Sequence, residues 1–253
     1  MAVGALIIGD EILSGKRTDG HFARVREVLA RRGLAPAWVR YVGDDRPLLT
    51  ATLRETFATG DIVFSFGGIG ATPDDHTRQA AAAALGRQLY RHPDAIREIE
   101  ARFGDQAYPY RVLMGEFPEG STIIPNPVNR IPGFRIALDR GGAHHFLPGF
   151  PEMAWPMMEW VLGHWYPDLR ADMPQGERAI VVFDAGESQL IPLMDDVVAA
   201  FPELRLFSLP HMLPDGGRRI ELGVKGDKTR IDAAVAQLMQ GVSALGFRWE
   251  PAA

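Results

Sequence analysis

The sequence predicts an α/β protein with a mostly parallel sheet, followed by a small α+β domain. Two observations carry this prediction. In the first two thirds of the chain, short apolar runs alternate with amphipathic helical stretches, which is typical of βαβ units. Beyond a polar stretch with two prolines near residues 167–177, the order changes to βαββα.

Three strand–helix pairs open the chain. The continuous apolar run "VGALIIG" (Val3–Gly9) is typical of a strand buried on both faces. The helix after it ends at Gly33 and repeats apolar residues at three- and four-residue spacing, at Phe22, Val25, Val28 and Leu29. The next two pairs are the strands "PAWVRYVG" and "DIVFSFGG", with the helices "RPLLTATLRETFATG" and "HTRQAAAAALG". This order predicts a parallel sheet with helices on both faces.

The middle of the chain is less regular. It predicts a helix at "DAIREIEARFG", three short strands at "STIIPNP", "FRIALD" and "AHHFLPGF", and a helix that begins at Pro151. His144 and His145 are adjacent on the third of these strands, so they point to opposite faces and make a poor metal pair. The apolar residues of the Pro151 helix predict a core or a subunit interface: Trp155, Met157, Met158, Trp160 and Trp165.

The second domain is a βαββα unit. Its strands are "RAIVVFD", "LRLFSLPH" and "RRIELGVKG", and its helices are "ESQLIPLMDDVVAAF" and "KTRIDAAVAQLMQGVSAL". We therefore predict domains at residues 1–170 and 177–253. A unit of this size is close to the smallest that folds alone, so it is expected to dock on the first domain or on a partner subunit.

Composition excludes several classes of protein. The 253 residues include no cysteine, which excludes disulfides, thiolate zinc sites, iron–sulfur clusters and cysteine nucleophiles. The net charge of −5 argues against a nucleic-acid binder or an anionic-membrane binder. The N-terminal apolar run is too short for a signal peptide, and no segment reaches the length of a membrane helix. A cytoplasmic protein is the expectation.

Carboxylates follow all three of the first strands. These residues come in three pairs, Asp10 with Glu11, Asp44 with Asp45, and Asp74 with Asp75. Because the carboxyl ends of parallel strands share one edge of the sheet, the pairs are expected to converge at one rim. Glycines and helix N-termini at the same rim attract phosphate, and carboxylates attract Mg²⁺. A divalent cation between them would let both be present.

Each of these residues also has a purely structural interpretation. In "GGIGATPDDHT", Thr72 could cap a helix that begins at Pro73, with Asp75 as the reciprocal partner. Glu11 and Asp45 could be solvated loop acids. Capping does not explain why three consecutive strands end alike, and spacing alone leaves the two interpretations of Asp75 open.

Three segments resemble the signature motifs of a known family. "GDEILSG", "GGIGATPDDHT" and "LPGFPEM" look like those of the molybdopterin-binding (MoCF biosynthesis) domain superfamily, and more narrowly of the N-terminal region of CinA, the competence/damage-inducible protein A. This resemblance covers about residues 1–166. The βαββα unit with "ESQL" is similar to the KH-like domain that follows in CinA proteins, whereas their deamidase domain has no counterpart here.

The resemblance implies a three-layer αβα domain whose rim binds a phosphorylated pterin or nucleotide. It further implies hydrolysis of an ADP-ribose-like pyrophosphate with a divalent metal, for which Mg²⁺ is the first candidate. Asp74, Asp75 and Asp44 are then the catalytic candidates, and Asp10, Asp74 and Asp75 the metal ligands. The implied ligand contacts are Gly9, Asp10, Glu11, Asp19, Gly67, Gly68, Gly70, Thr72, Thr77, Asn126, Arg130, Gly149 and Glu152.

Two departures from the family pattern leave a second hypothesis open. Asp19-Gly20-His21 stands where relatives show D-T-N, and "NPVNRIPGF" puts Asn129, Arg130 and Ile131 where they show Gly, Thr and Ala. Arg130 could bind a phosphate or block the site. The altered loop favours a non-catalytic module that binds molybdopterin, FAD or another nucleotide, and the retained acids favour the enzyme. Relatives also imply a homodimer or homotrimer.

Overall fold

A computed structural model describes residues 2–171, 175–212 and 217–252 of the chain. The chain divides into two compact units, Met1–Leu169 and Arg170–Ala253. Each unit has its own hydrophobic core. None of the helices in the described part of the chain is long and apolar enough to cross a membrane.

The first unit is built on a six-stranded sheet with strand order β2-β1-β3-β8-β7-β6. The first four strands in that order are parallel, and the remaining two pairings are antiparallel. These strands are β1 (Val3–Ile8), β2 (Trp38–Val42), β3 (Ile62–Phe66), β6 (Thr122–Ile124), β7 (Gly133–Ala137) and β8 (Ala143–Leu147). A separate two-stranded sheet joins β4 (Leu89–Arg91) to β5 (Glu116–Pro118).

Helices cover both faces of this sheet. They are α1 (Asp10–Leu13), α2 (His21–Ala30), α3 (Arg46–Phe57), α4 (Thr77–Leu85), α5 (Pro93–Phe103) and α6 (Pro151–His164), and two 3-10 turns follow α5 at Gly104–Ala107 and Arg111–Gly115. Alternate residues of β1 enter different cores: Ala5 and Ile7 pack with residues of α2 and α6, whereas Leu6 and Ile8 pack with residues of α3, α4 and α5. The predicted three-layer αβα architecture is therefore confirmed.

The core carries the two adjacent histidines. His144 contacts Phe57 on one face of the sheet, and His145 stacks on Phe64 on the other, as the alternation of a strand requires. Both side chains are fully buried. On α6, Met157 and Met158 are buried and the tryptophans pack against the same core, which agrees with their predicted role in the core.

The second unit is a four-stranded antiparallel sheet with two helices. The strands β9 (Gln175–Phe183), β10 (Arg205–Met212), β11 (Arg218–Asp227) and β12 (Trp249–Pro251) lie in the order β10-β11-β9-β12, and the helices are α7 (Glu187–Ala200) and α8 (Lys228–Ala244). The predicted βαββα order is confirmed, and β12 is an added edge strand. In the register of the sheet, Leu222 lies between Ser208 and Ile180.

Candidate functional site

The carboxyl ends of the parallel strands meet around one cavity of about 810 Å³. Register brings them to the same edge of the sheet, because Ile8 lies beside Val42 and Phe66 beside Leu147. Two backbone bonds join the turns that follow: the Gly9 N–H donates to the Val42 carbonyl and the Gly67 N–H donates to the Leu147 carbonyl, both at 3.0 Å. The predicted residues that line this cavity are Gly9, Glu11, Asp19, Asp44, Gly67, Gly68, Gly70, Thr72, Asp74, Asp75, Asn126 and Gly149.

The glycine turn after β3 needs its glycines. Gly67 and Gly68 have φ angles of +108° and +67°, which L side chains rarely adopt. A Cβ on Gly67 would overlap the carbonyl oxygen of Ile8, and one on Gly68 would overlap the hydroxyl of Thr77. The close approach of the turn to β1 and α4 therefore excludes larger residues.

The carbonyl groups of this turn are held by the start of α4. Thr77 donates its N–H to the Gly68 carbonyl and its hydroxyl to the Gly67 carbonyl, each at 3.0 Å. Arg78 donates to the Gly70 carbonyl at 2.6 Å. By contrast, the amides of residues 68–71 have no acceptor in the described parts of the chain. The turn thus has the carbonyls of Gly67, Gly68 and Gly70 bonded to protein and leaves four consecutive N–H groups free beside the cavity.

Arg78 ties this turn to a distant segment. Its side chain is 3% exposed and also donates to the carbonyls of Leu113 and Glu116. Burial lowers its pKa, and the carboxylates of Glu116 and Asp75 oppose that shift. Sequence analysis missed Arg78, because a basic residue inside a helix pattern carries no signal of burial.

Two hydrogen bonds join the first acidic turn to the second. The Asp10 N–H donates to Asp44 Oδ2 at 2.9 Å, and the Asp44 N–H donates to Asp10 Oδ1 at 3.1 Å. Burial raises the pKa of Asp44, and the nearby carboxylates of Asp10, Glu11 and Asp74 add to that rise. Asp45 caps α3 by accepting from the Leu48 N–H at 2.7 Å, a structural role more specific than the solvated loop acid considered for it.

The third acidic turn lies ahead of the helix and does not start it. The helix begins at Thr77 with His76 as its N-cap, as the run "HTRQAAAAALG" predicted, so the alternative interpretation with Thr72 as the N-cap is not observed. Asp75 does accept from the N–H of Thr72 at 2.9 Å and from its hydroxyl, but these bonds close a turn ahead of the helix. Asp74 is exposed at the cavity, and a hydrogen bond from Thr72 lowers its pKa.

Asp19 lines the cavity with its carboxylate already engaged. It accepts from the N–H groups of His21 and Phe22 at 2.7 and 3.2 Å, and from the Tyr41 hydroxyl at 2.8 Å. Burial, followed by this bond to Asp19, raises the pKa of Tyr41 to about 12. His21 in turn stacks on Phe66 and donates from Nε2 to the Gly149 carbonyl at 3.1 Å. These residues fix the start of α2 against the cavity.

Other predicted ligand contacts have structural partners. Arg130 pairs with Glu98 at 2.8 Å and, like Asp10, Thr77 and Glu152, lies outside the cavity lining. Asn126 lines the cavity but bonds to the Ile131 carbonyl and the Val128 N–H, each at 3.0 Å, which holds the altered loop together. Arg130 therefore neither reaches the cavity nor blocks it.

The predicted metal set does not form a metal site by itself. In the described ranges, no group of three His, Asp or Glu side chains is arranged to hold a metal ion. Asp10 accepts from the Asp44 N–H and is not among the residues that line the cavity, whereas Asp74 and Asp75 are. The residues present do not fit a preformed divalent-metal centre.

Two lining residues had no signal in the sequence. Arg17 lines the cavity with its guanidinium 5.8 Å from the ring centroid of Phe150, which is 52% exposed at the same cavity. They lie in different loops, one before α2 and one at the N-cap of α6, so only the fold brings them together.

Comparison with known proteins gives the same fold and family. Residues 4–171 match the family model described as "Probable molybdopterin binding domain". A CinA-like protein of Geobacter metallireducens is 30% identical over 269 residues, covering 95% of this chain and 65% of that protein. A CinA-like protein of Syntrophotalea carbinolica is 30% identical over 209 residues, covering 79% of this chain and 50% of that protein. The chain therefore spans between half and two thirds of these relatives.

A solved structure supports the architecture of the first unit. The crystal structure titled "the protein CinA with unknown function from Thermoplasma acidophilum" superposes with a TM-score of 0.60 at 28% identity. The match covers 64% of this chain and 98% of that one.

Proposed function

The chain belongs to the molybdopterin-binding domain family of CinA-like proteins, and on that premise we propose that its rim cavity binds a small phosphorylated ligand, a pterin or a nucleotide. The observation that carries the proposal is the row of free amides at residues 68–71. Consecutive N–H groups around a concave turn form an anion-binding nest. With three carbonyls of the turn already bonded to Thr77 and Arg78, the amides are held in place for an anion before it arrives.

The acidic rim limits what the ligand can be. Glu11, Asp44, Asp74 and Asp75 line the same cavity as the amides, so a bare phosphate meets repulsion as well as hydrogen bonds. A ligand with additional N–H donors, such as a pterin or a purine, would satisfy carboxylates and amides together. This chemistry favours a phosphorylated heterocycle over inorganic phosphate.

Hydrolysis of an ADP-ribose-like pyrophosphate is the second candidate. It is favoured by the number of carboxylates around one cavity and opposed by the absence of a metal-holding group in the described residues. Binding without turnover is the function that this geometry supports best.

Calorimetric titration of the full chain separates the two candidates. ADP-ribose, FAD and a pterin phosphate are each titrated with and without Mg²⁺, and each mixture is assayed for released AMP where the ligand contains it. Binding heat without AMP is the expected result. Metal-dependent AMP release that Asp75→Asn abolishes would establish hydrolysis instead, and no heat with any ligand would overturn the binding proposal.

A matched pair of acids controls for charge. Asp74→Asn removes a carboxylate that lines the cavity, whereas Asp45→Asn removes one that caps α3 outside it. The cavity variant is expected to change ligand affinity, and the capping variant is expected to leave it unchanged. Equal effects of both variants would mean that net charge, not the cavity, governs binding.

A further inference from the structure

Arg17 behaves unusually for a cation beside an acidic cavity. Asp19 and four other carboxylates line the same cavity, and none of them forms an ion pair in the described part of the chain. The Arg17 side chain nevertheless forms no ion pair or hydrogen bond with any residue that the structure describes. It lies over the ring of Phe150 instead, with 5.8 Å between its Cζ and the ring centroid. A guanidinium that is held by an aromatic face keeps its own flat surface and its donors available.

Phe150 is exposed where an apolar ring has no structural reason to be. About half of its side chain is in contact with solvent, although it lies between a buried strand and the α6 helix. Its backbone is fixed, because its carbonyl accepts from the N–H groups of Met153 and Ala154 at 3.0 and 2.9 Å. The ring is thus presented to the cavity from a rigid position and not from a loose loop.

The residue before Phe150 lies close to the glycine turn, and Phe150 lines the same cavity as the free amides. A Cβ on Gly149, the residue before Phe150, would be 3.4 Å from the Cα of Gly67, which opens the glycine turn. The Gly149 carbonyl is held by His21 at 3.1 Å, which fixes this approach. One small molecule can therefore reach both the amides and the ring.

We propose that Phe150 and Arg17 form a stacking site for the planar ring of the ligand, next to the amides that take its phosphate. This rests on the proposed function and narrows it to phosphates that carry an aromatic heterocycle. Stacking on an aromatic side chain contributes about 1–3 kcal/mol per ring, or very roughly fivefold to a hundredfold in affinity, and it does not depend on the identity of the ring. Purine and pterin phosphates are both of this class.

The test compares ligands with and without a ring. AMP, a pterin phosphate and inorganic pyrophosphate are titrated into the wild type, Phe150→Leu, Phe150→Trp and Arg17→Lys. Phe150→Leu is expected to weaken binding of AMP or the pterin phosphate by about tenfold, since most of the stacking is lost. Arg17→Lys keeps the charge but not the flat guanidinium, and is expected to weaken the same ligands less. Phe150→Trp should restore or improve affinity.

Pyrophosphate is the internal control. Its affinity is expected to change by less than about twofold in all three variants, because it has no ring to stack. Tyr110→Leu removes an exposed aromatic side chain outside the cavity and should change nothing. Equal weakening of ring-bearing and ringless ligands, or no weakening in Phe150→Leu, would overturn the stacking site while leaving the amide site standing. A wild type that binds none of the three overturns both.

Discussion

The guanidinium of Arg78 donates to the carbonyl of Gly70 at 2.6 Å from a position that is almost completely buried. The same side chain bonds to two carbonyls in the 111–116 segment. Three backbone oxygens from two separate segments therefore share one cation. This arrangement fixes the glycine turn, whose residues line the cavity.

Arg78→Lys should loosen the turn and destabilise the first unit. A single ammonium cannot match the fork of a guanidinium to three carbonyls, and hydrogen bonds to a charged group contribute about 1.5–3 kcal/mol each. We expect a loss of about 2–4 kcal/mol in the free energy of unfolding, measured with urea. We also expect weaker binding of pyrophosphate at temperatures well below the unfolding transition, which a purely structural role would not produce.

Arg87→Lys is the matched control for Arg78. Arg87 donates to the Glu119 carbonyl at 3.0 Å on the exposed surface, so its replacement should cost less than about 1 kcal/mol and leave binding unchanged. If both variants lost equal stability, the argument from burial at Arg78 would be wrong.

Gly67→Ala should prevent folding or destabilise the unit severely. The φ of +108° is unfavourable for alanine, and its Cβ would overlap the carbonyl of Ile8, which is backbone in the central strand and cannot move aside. Gly86→Ala separates the two causes. Gly86 ends α4 with a φ of +65°, but nothing lies within 4 Å of an added Cβ. It should cost only about 1 kcal/mol in urea unfolding.

The fold could be predicted because its signals are local. Each buried strand of the first unit is a short apolar run, and each helix repeats apolar residues on one side. The order of the elements could therefore be predicted, and with it the edge of the sheet that the ends of the parallel strands share. The helix α4 begins where the run "HTRQAAAAALG" predicted it, and not at Pro73 as the capping interpretation of Thr72 and Asp75 would require, because the bonds of Thr77 and Arg78 to the glycine turn place the first helical turn later.

The chemistry of the site depended on contacts that no spacing encodes. Asp10 and Asp44, 34 residues apart, each donate a backbone N–H to the other's carboxylate, and Asp10 is not among the residues that line the cavity. Arg130 is taken by Glu98, 32 residues away. In both cases, only the folded structure decides which of several charged neighbours the side chain bonds to. The expected oligomer, dimer or trimer, and the cytoplasmic location stay predictions.

The two core histidines should make the first unit sensitive to acid. Burial lowers the pKa of both His144 and His145 to about 3, against 6.5 in an unfolded chain. Between pH 6.5 and 3 the unfolded state then binds more protons than the native state, so stability falls as the pH falls. Each histidine adds up to about 1.4 kcal/mol per pH unit to this slope.

His144→Leu should reduce that slope and stabilise the protein at pH 5. Neither ring nitrogen of His144 makes a well-formed hydrogen bond within the described chain, and the backbone of Thr56 only partly opposes the lowered pKa, so leucine removes a titrating group at little cost in hydrogen bonding. The free energy of unfolding is measured in urea from pH 7 to pH 4.5. Phe146→Leu is the control, since it lies next to His144 and does not titrate, and it should lower stability equally at every pH. An unchanged slope in His144→Leu would contradict the burial argument.

The Asp44→Asn variant tests how the negative charge of the acidic rim affects the affinity for an anionic ligand. Asparagine keeps an oxygen for the Asp10 N–H but removes one negative charge beside the amides. We expect pyrophosphate to bind more tightly to the variant, by about threefold to tenfold at low salt, with and without Mg²⁺. The wild type should gain affinity in the same direction as the pH is lowered, because the pKa of Asp44 is raised and its protonation removes the same charge. Asp45→Asn, outside the cavity, should show neither effect.

The opposite result with Mg²⁺ would contradict this expectation. If Mg²⁺ made the wild type bind pyrophosphate more tightly than Asp44→Asn, a cation would be bridging the carboxylate and the ligand. Metal-dependent hydrolysis would then become the better account of this cavity.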